Sequence, residues 1–273
     1  MTRVLLVLLA VGCGKDPAPA GDSVSDDSAE PTGDDTAADD SATDDTAADD
    51  SATDDSAADD SAPDDSGDSG PAVPLDGFGA LSGDCGVLDD ELFDSGPSFF
   101  SDVLDFGSSA FDESLLSAGG LRMWEAGNLG GSSIHSEIFA YEVLYRCELA
   151  ELLYTEGEVV YTDDGGKKTD FVANIDGEVI GVSVTRAYLY PPDTPYTVED
   201  ATDLLDRKLS DILLSSANVS ADYRWRKQIL SVMAYTPDHA AALADAWVNL
   251  DDSVRADTIV FVTTTEGDDE FMY

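Results

Sequence analysis

Residues 168–186 read KTDFVANIDGEVIGVSVTR. The pair Asp176-Gly177 lies between two runs rich in β-branched and apolar residues. That pattern marks a two-residue hairpin turn, whose central residues must tolerate positive φ. Thr169 to Ile175 and Glu178 to Arg186 are therefore expected to pair antiparallel, with Asp170 opposite Ser183 and Lys168 opposite Thr185. Side chains alternate faces along a strand. Lys168, Asp170, Ser183 and Thr185 then share one face, and Phe171, Ala173, Ile180, Val182 and Val184 take the other. Opposed Cβ atoms are about 5 Å apart, so the first set makes a polar cluster and the second a core face.

Working outward, Ile134, Ile138, Tyr141, Tyr145, Leu149 and Leu152 recur at helical spacing. They predict a helix from Ile134 to about Leu153, capped by Ser132 or Ser133. Glu137 falls at the edge of its apolar stripe. Glu158 to Tyr161 reads as a strand, followed by a turn at Asp163–Gly166. A turn of that length places Val159 and Tyr161, rather than Glu158, on the polar-cluster face. Downstream, Thr197-Val-Glu-Asp200 is a capping-box variant. It opens a helix whose Ala201, Leu205, Leu209 and Ile212 face inward. Gln228–Tyr235 and Thr258–Thr264 are apolar strands, separated by a helix from Pro237 or Asp238 to Trp247. The predicted order is α-β-β-β-α-β-α-β, an α/β fold with a mixed sheet.

An α-β-β-β-α-β core with an acid at the start of its second strand resembles the PD-(D/E)XK (restriction-endonuclease-like) nuclease superfamily, here with an added helix and strand. The resemblance spans about Ile134 to Thr264. It places Asp170 at the family's metal-binding aspartate and Glu137 at its helix-borne glutamate. The family's (D/E)-x-K should fall on Ser183-Val184-Thr185, where neither the acid nor the lysine is present. Lys168 stands on the neighbouring strand instead. The resemblance implies metal-dependent phosphodiester hydrolysis. Asp170 and Glu137 would be ligands to Mg²⁺ or Mn²⁺, Lys168 the displaced base or charge partner, and Ser183 and Thr185 weaker contacts. The alternative is a non-catalytic surface-binding or structural module on the same scaffold. In it Lys168 and Asp170 are a surface ion pair, and Glu137 is a solvated charge.

The rest of the chain bears on location. Met1–Arg3, the apolar run Val4–Val11 and Gly12-Cys13 resemble a bacterial lipoprotein signal, with Cys13 the lipidated residue. The run is too short to span a bilayer, which takes about 20 residues. The expectation is an exported bacterial lipoprotein, anchored at the periplasmic face or the cell surface. Residues 13–76 then form an acidic linker built on repeated Asp-Asp-(Ser/Thr)-Ala units. It contains nothing to bury and repels itself. Residues 77–131 read as an irregular or helical cap segment, and residues 132–273 as the α/β domain. Of 58 acidic and 13 basic residues, 38 and 11 fall in residues 69–273. Such an acidic domain argues against generic nucleic-acid affinity, which comes from Lys and Arg neutralising phosphates. One basic cluster, Arg224-Trp225-Arg226-Lys227, could meet a phosphate backbone. Two histidines and no CxxC pair leave little basis for a zinc site. Cys85 and Cys147 would be paired in an oxidising compartment or be buried thiols.

Overall fold

The computed structural model describes residues 73–74, 77–129 and 133–273. The export signal, Cys13, most of the acidic linker and the Ser132 cap lie outside the described residues. The described chain is α/β, built on one eight-stranded mixed sheet. Its strands are β1 (Val73–Pro74), β2 (Ala80–Gly83), β3 (Ser98–Asp105), β4 (Glu151–Thr155), β5 (Phe171–Ile175), β6 (Glu178–Ala187), β7 (Lys227–Ala234) and β8 (Ile259–Glu266). Their spatial order is β1-β2-β3-β8-β7-β6-β5-β4. The central pairs β3–β8, β8–β7 and β7–β6 are parallel, and the outer pairs are antiparallel. The helices are α1 (Ala118–Ala126), α2 (Ile134–Glu148), α3 (Val198–Asn218), α4 (Pro237–Asn249) and α5 (Asp252–Arg255).

Helix α2 covers one face of the sheet. Its Ile138, Phe139 and Leu144 share a core with Phe171, Ala173, Ile180, Val182, Val184 and Phe261. On the other face, α3 and α4 pack Leu205, Leu209 and Leu243 against Leu230, Val232, Val260 and Val262. Every residue of β7 is buried. That accounts for its largely apolar sequence, since a parallel strand covered on both faces has no reason to alternate. The hairpin expectation holds: Phe171 pairs with Val182 and Ile175 with Glu178 across Asp176-Gly177, where both turn residues have positive φ. The box at α3 also forms, with Thr197 and Asp200 each bonding the other's backbone N–H.

Three expectations change. Helix α2 ends at Glu148 rather than about Leu153, because Leu149 adopts a left-handed conformation (φ 52°) and the chain turns directly into β4. Leu149 and Leu152 continue the helical spacing by coincidence, and Leu149 is largely exposed. The strand expected at Glu158–Tyr161 lies instead at Glu151–Thr155, paired with β5. Glu156–Glu158 is a single helical turn closed by a Thr155–Glu158 capping box, and Tyr161 makes only an isolated bridge to Val219. Finally, residues 77–131 are not a separate cap. They supply β2 and β3 to the sheet, and all of β3 pairs with β8. The many Gly and Ser residues there obscure the alternation that marks a strand. Cys85 and Cys147 form a disulfide that ties this segment to the end of α2. Beside it, Glu148 accepts the backbone N–H groups of Gly86, Val87 and Leu88.

Candidate active site where β5 and β6 part

The β5–β6 pairing loses its register at Asp170. Its N–H donates to the Val182 carbonyl at 3.0 Å, the same residue that faces Phe171. Its carboxylate fills the place of a strand carbonyl, with Oδ2 accepting the Val184 N–H at 2.6 Å. Asp170 therefore sits between the two sheet faces, not on one of them. Burial pushes its carboxyl up to about 7, and the nearby Glu137 and Glu156 add to the rise. The Val184 N–H and the Lys208 ammonium oppose it.

Glu137 is buried in the first turn of α2. Its Oε1 accepts the Ser133 hydroxyl at 2.7 Å and the Asn128 amide at 3.2 Å. Ser133 thus precedes the helix as expected, but donates to the glutamate. Glu156, just after β4, accepts the Leu129 N–H at 2.8 Å. Burial raises its carboxyl, Glu137 adds to the rise, and Lys168 counters it. Three carboxylates therefore feel one another's charge at this end of the sheet, with one lysine beside Glu156 and another beside Asp170.

The structure does not keep the five expected residues in one cluster. Ser183 and Thr185 alternate with Val182 and Val184 and so face the α3 side, opposite Glu137. Ser183 is buried, its hydroxyl 3.2 Å from that of Thr169. Lys168 does not oppose Thr185. Because β5 begins only at Phe171, residues 167–169 form a loop, and Lys168 Nζ lies 5.6 Å from the centre of the Tyr161 ring. Tyr161, whose hydroxyl accepts the Thr169 N–H at 2.8 Å, does belong to this neighbourhood. Burial pushes its phenol up to about 12, with Asp170 and Glu156 adding to the shift. Glu158 is drawn away by Arg122 and the Thr155 N–H.

Two residues escaped the sequence reading. Glu156 was hidden by the misplaced strand. Lys208 follows Leu204 by four positions on α3 and so shares its side. Its ammonium reaches 3.5 Å from the Val184 carbonyl, on the residue whose N–H holds Asp170. A lysine spaced with inward-facing leucines was the available signal.

The basic cluster has a structural occupation. Arg226 donates to the carbonyls of Leu92 and Phe93, and Lys227 to those of Asp94 and Gly96. Trp225 lies against Gly181 and donates to Ser216. Together they fasten the 92–96 loop to the sheet.

Among the described residues no three His, Cys, Asp or Glu side chains are grouped to hold a metal ion. Asp170 and Glu137 are oxygen donors of the kind Mg²⁺ takes, though Glu137 Oε1 already accepts the Ser133 hydroxyl and the Asn128 amide. The donor set does not fit a closed all-protein cage.

The chain is 34% identical over 165 residues to the AAC-rich mRNA clone AAC4 protein of Dictyostelium discoideum, a match covering 58% of this chain and 24% of that protein. The chain thus spans about a quarter of that relative's length. No family model matches the chain. No solved structure matches it.

Proposed function

We propose that this is an exported, lipid-anchored protein whose domain is a divergent member of the PD-(D/E)XK group and hydrolyses phosphodiesters. The observation that carries the reading is Asp170, held by the Val184 N–H where β5 and β6 part and acted on by the charges of Glu137 and Lys208, within the order α2-β4-β5-β6-α3-β7. Asp170 and Glu137 would hold Mg²⁺ or Mn²⁺. When bound, such an ion polarises a phosphate oxygen and acidifies a water. Asp170, kept in place by the Val184 N–H, orients that water toward phosphorus. The water attacks, the P–O bond to the leaving oxygen breaks, and the water's proton ends on that oxygen. Lys208 sets its positive charge beside the phosphate as negative charge builds there. Lys168, next to Glu156 and Tyr161, tempers the carboxylate cluster from its other side.

The Cys85–Cys147 disulfide supports export, since such bonds persist in oxidising compartments. No helix among the described residues is long and apolar enough to cross a membrane. Attachment is assigned to Cys13 on the strength of the apolar run Val4–Val11 and Gly12-Cys13.

A second reading, a non-catalytic module on this scaffold, draws support from the lack of a three-ligand group among the described residues and from the bonds already made to Glu137. The experiment incubates the purified chain with single- and double-stranded DNA and RNA and with a dinucleotide. Each substrate is given Mg²⁺ or Mn²⁺, or chelator, beside an Asp170→Ala control. Metal-dependent cleavage absent from the control is expected. A folded sample that cleaves none of these substrates overturns the hydrolase reading in favour of the second.

A further inference from the structure

We infer that the cleft between the end of β6 and the first turns of α3 is a recognition subsite for a short phosphodiester of mono- or dinucleotide size, rather than a track for a nucleic-acid duplex. This rests on the hydrolase reading above and names its substrate class.

The cleft has a volume of about 380 Å³ and includes Thr185, Arg186, Tyr188, Tyr196, Arg207 and Lys208. Three of the eleven bases in residues 69–273 thus meet in one place. Each of these six side chains carries a donor that can meet an anion directly. Arg186 is steadied by the bond it gives the Met272 carbonyl at 2.8 Å. Arg207 is exposed and makes no ion pair among the described residues. Tyr196 stacks on His239, with ring centres 4.5 Å apart, and its buried hydroxyl has no hydrogen-bond partner. A buried hydroxyl without a partner is costly unless a ligand completes it.

Lys208 links the cleft to Asp170 through one residue of β6. It lines the cleft and reaches the Val184 carbonyl, while the N–H of the same residue holds Asp170.

Charge and size limit what else enters. The volume is at the small end of ligand sites, roughly 300–1,000 Å³. Asp203 shares the cleft, and Asp200 also lines it, though that carboxylate is taken by the Thr197 N–H and hydroxyl. Asp203 can accept a sugar hydroxyl or base amino group and repels further phosphates. Among the described residues, most bases outside the cleft are already engaged. Arg122, Lys167 and Arg255 are paired with Glu158, Asp211 and Asp252, and Arg226 and Lys227 are spent on loop carbonyls. A duplex gains affinity by neutralising several phosphates at once, and the acidic excess of this domain opposes that.

The test measures equilibrium binding of the dinucleotide TpT and of a long DNA duplex to the full chain, with chelator and with Mg²⁺. It is repeated for Arg207→Met and for Tyr196→Phe, which keeps the stacked ring and removes only the hydroxyl. TpT is expected to bind more tightly than the duplex, and each variant to weaken TpT by about tenfold. Absence of saturable TpT binding in both conditions overturns the subsite. So does tighter binding of the duplex, or TpT affinity unchanged in both variants. The two readings fail separately. Cleavage that Asp170→Ala abolishes but Arg207→Met leaves untouched removes the subsite and keeps the hydrolase. Arg207-dependent TpT binding without metal-dependent cleavage keeps the subsite and removes the hydrolase.

Discussion

Asp102 and Asp170 lie in opposite halves of the sheet, and each has its carboxyl pushed up to about 7, chiefly by burial. Their surroundings differ. Asp102 is on β3, facing Thr263 of β8, and is 2% exposed, with the Thr263 side chain partly offsetting the effect of burial. The charges near it, Asp84 and Glu148, are both negative. Asp170 is half-buried and bonded to the Val184 N–H, with the negative charges of Glu137 and Glu156 and the positive charge of Lys208 all acting on it. A shifted carboxyl therefore does not mark a site by itself. What separates the two is mixed charge and exposure: only negative charges act on Asp102, whereas Asp170 is less buried and has Lys208 acting on it as well.

The sharpest test of that contrast is activity. Asp170→Ala is expected to lower metal-dependent hydrolysis by about 10⁴-fold, equivalent to about 5.5 kcal/mol of barrier. Asp102→Asn is expected to leave the rate within about twofold of wild type, since it touches neither cleft nor carboxylate cluster. Steady-state rates of both variants check this, and a large loss in Asp102→Asn would break the comparison.

Stability should show the reverse. An acid whose folded pKa stands above its unfolded value favours the folded state most at low pH, and that contribution is lost as pH rises through the folded pKa. For Asp102 the window runs from 3.8 to about 7. Above it, wild type must carry a buried charge near Asp84 and Glu148. Asp102→Asn is thus expected to gain about 4 kcal/mol over wild type at pH 8 and almost nothing at pH 4. Urea unfolding at the two pH values measures the difference. An equal effect at both would show that Asp102 keeps no proton in the folded chain.

The disulfide belongs to the Asp102 half and closes a loop between positions 62 apart. Replacing both partners, Cys85→Ser with Cys147→Ser, is expected to lower stability by about 3 kcal/mol. The rate of hydrolysis should stay unchanged, because the bond anchors β2–β3 and the end of α2 rather than Asp170. A loss of rate in the folded variant would show that the halves are coupled.

The two halves were also unequally legible. From Asp170 onward, strong local signals agree: Asp176-Gly177 sets one register, Thr197 with Asp200 opens α3, and buried runs mark β7 and β8. In the other half, β2 and β3 are held by pairing to each other and to β8, far away in sequence. No local pattern reports such contacts. At the site, alternation separated the apolar face from the polar one but assumed the register continued past Phe171. Asp170 breaks it by using its carboxylate as a strand acceptor. That local substitution moved Lys168 away and left Lys208, on a helix, as the base nearest in effect to Asp170.

The smallest effect asks which lysine serves Asp170. The Lys208 ammonium favours the ionised carboxylate, so Lys208→Met must move the Asp170 carboxyl above about 7. If Asp170 works ionised, the acid limb of the pH–rate profile then shifts to higher pH. At pH 7 the rate falls by about tenfold, and part of the loss returns by pH 9 as the carboxyl ionises. Lys168 faces Tyr161 and Glu156, so Lys168→Met should leave the limb in place and change the rate by no more than about threefold. Full pH–rate profiles are needed, because a purely structural loss lowers the rate equally at every pH. A limb that moves in Lys168→Met and stays fixed in Lys208→Met would return the role to the lysine on the strand side. It would also mean that the parting of β5 and β6 closes when substrate is bound.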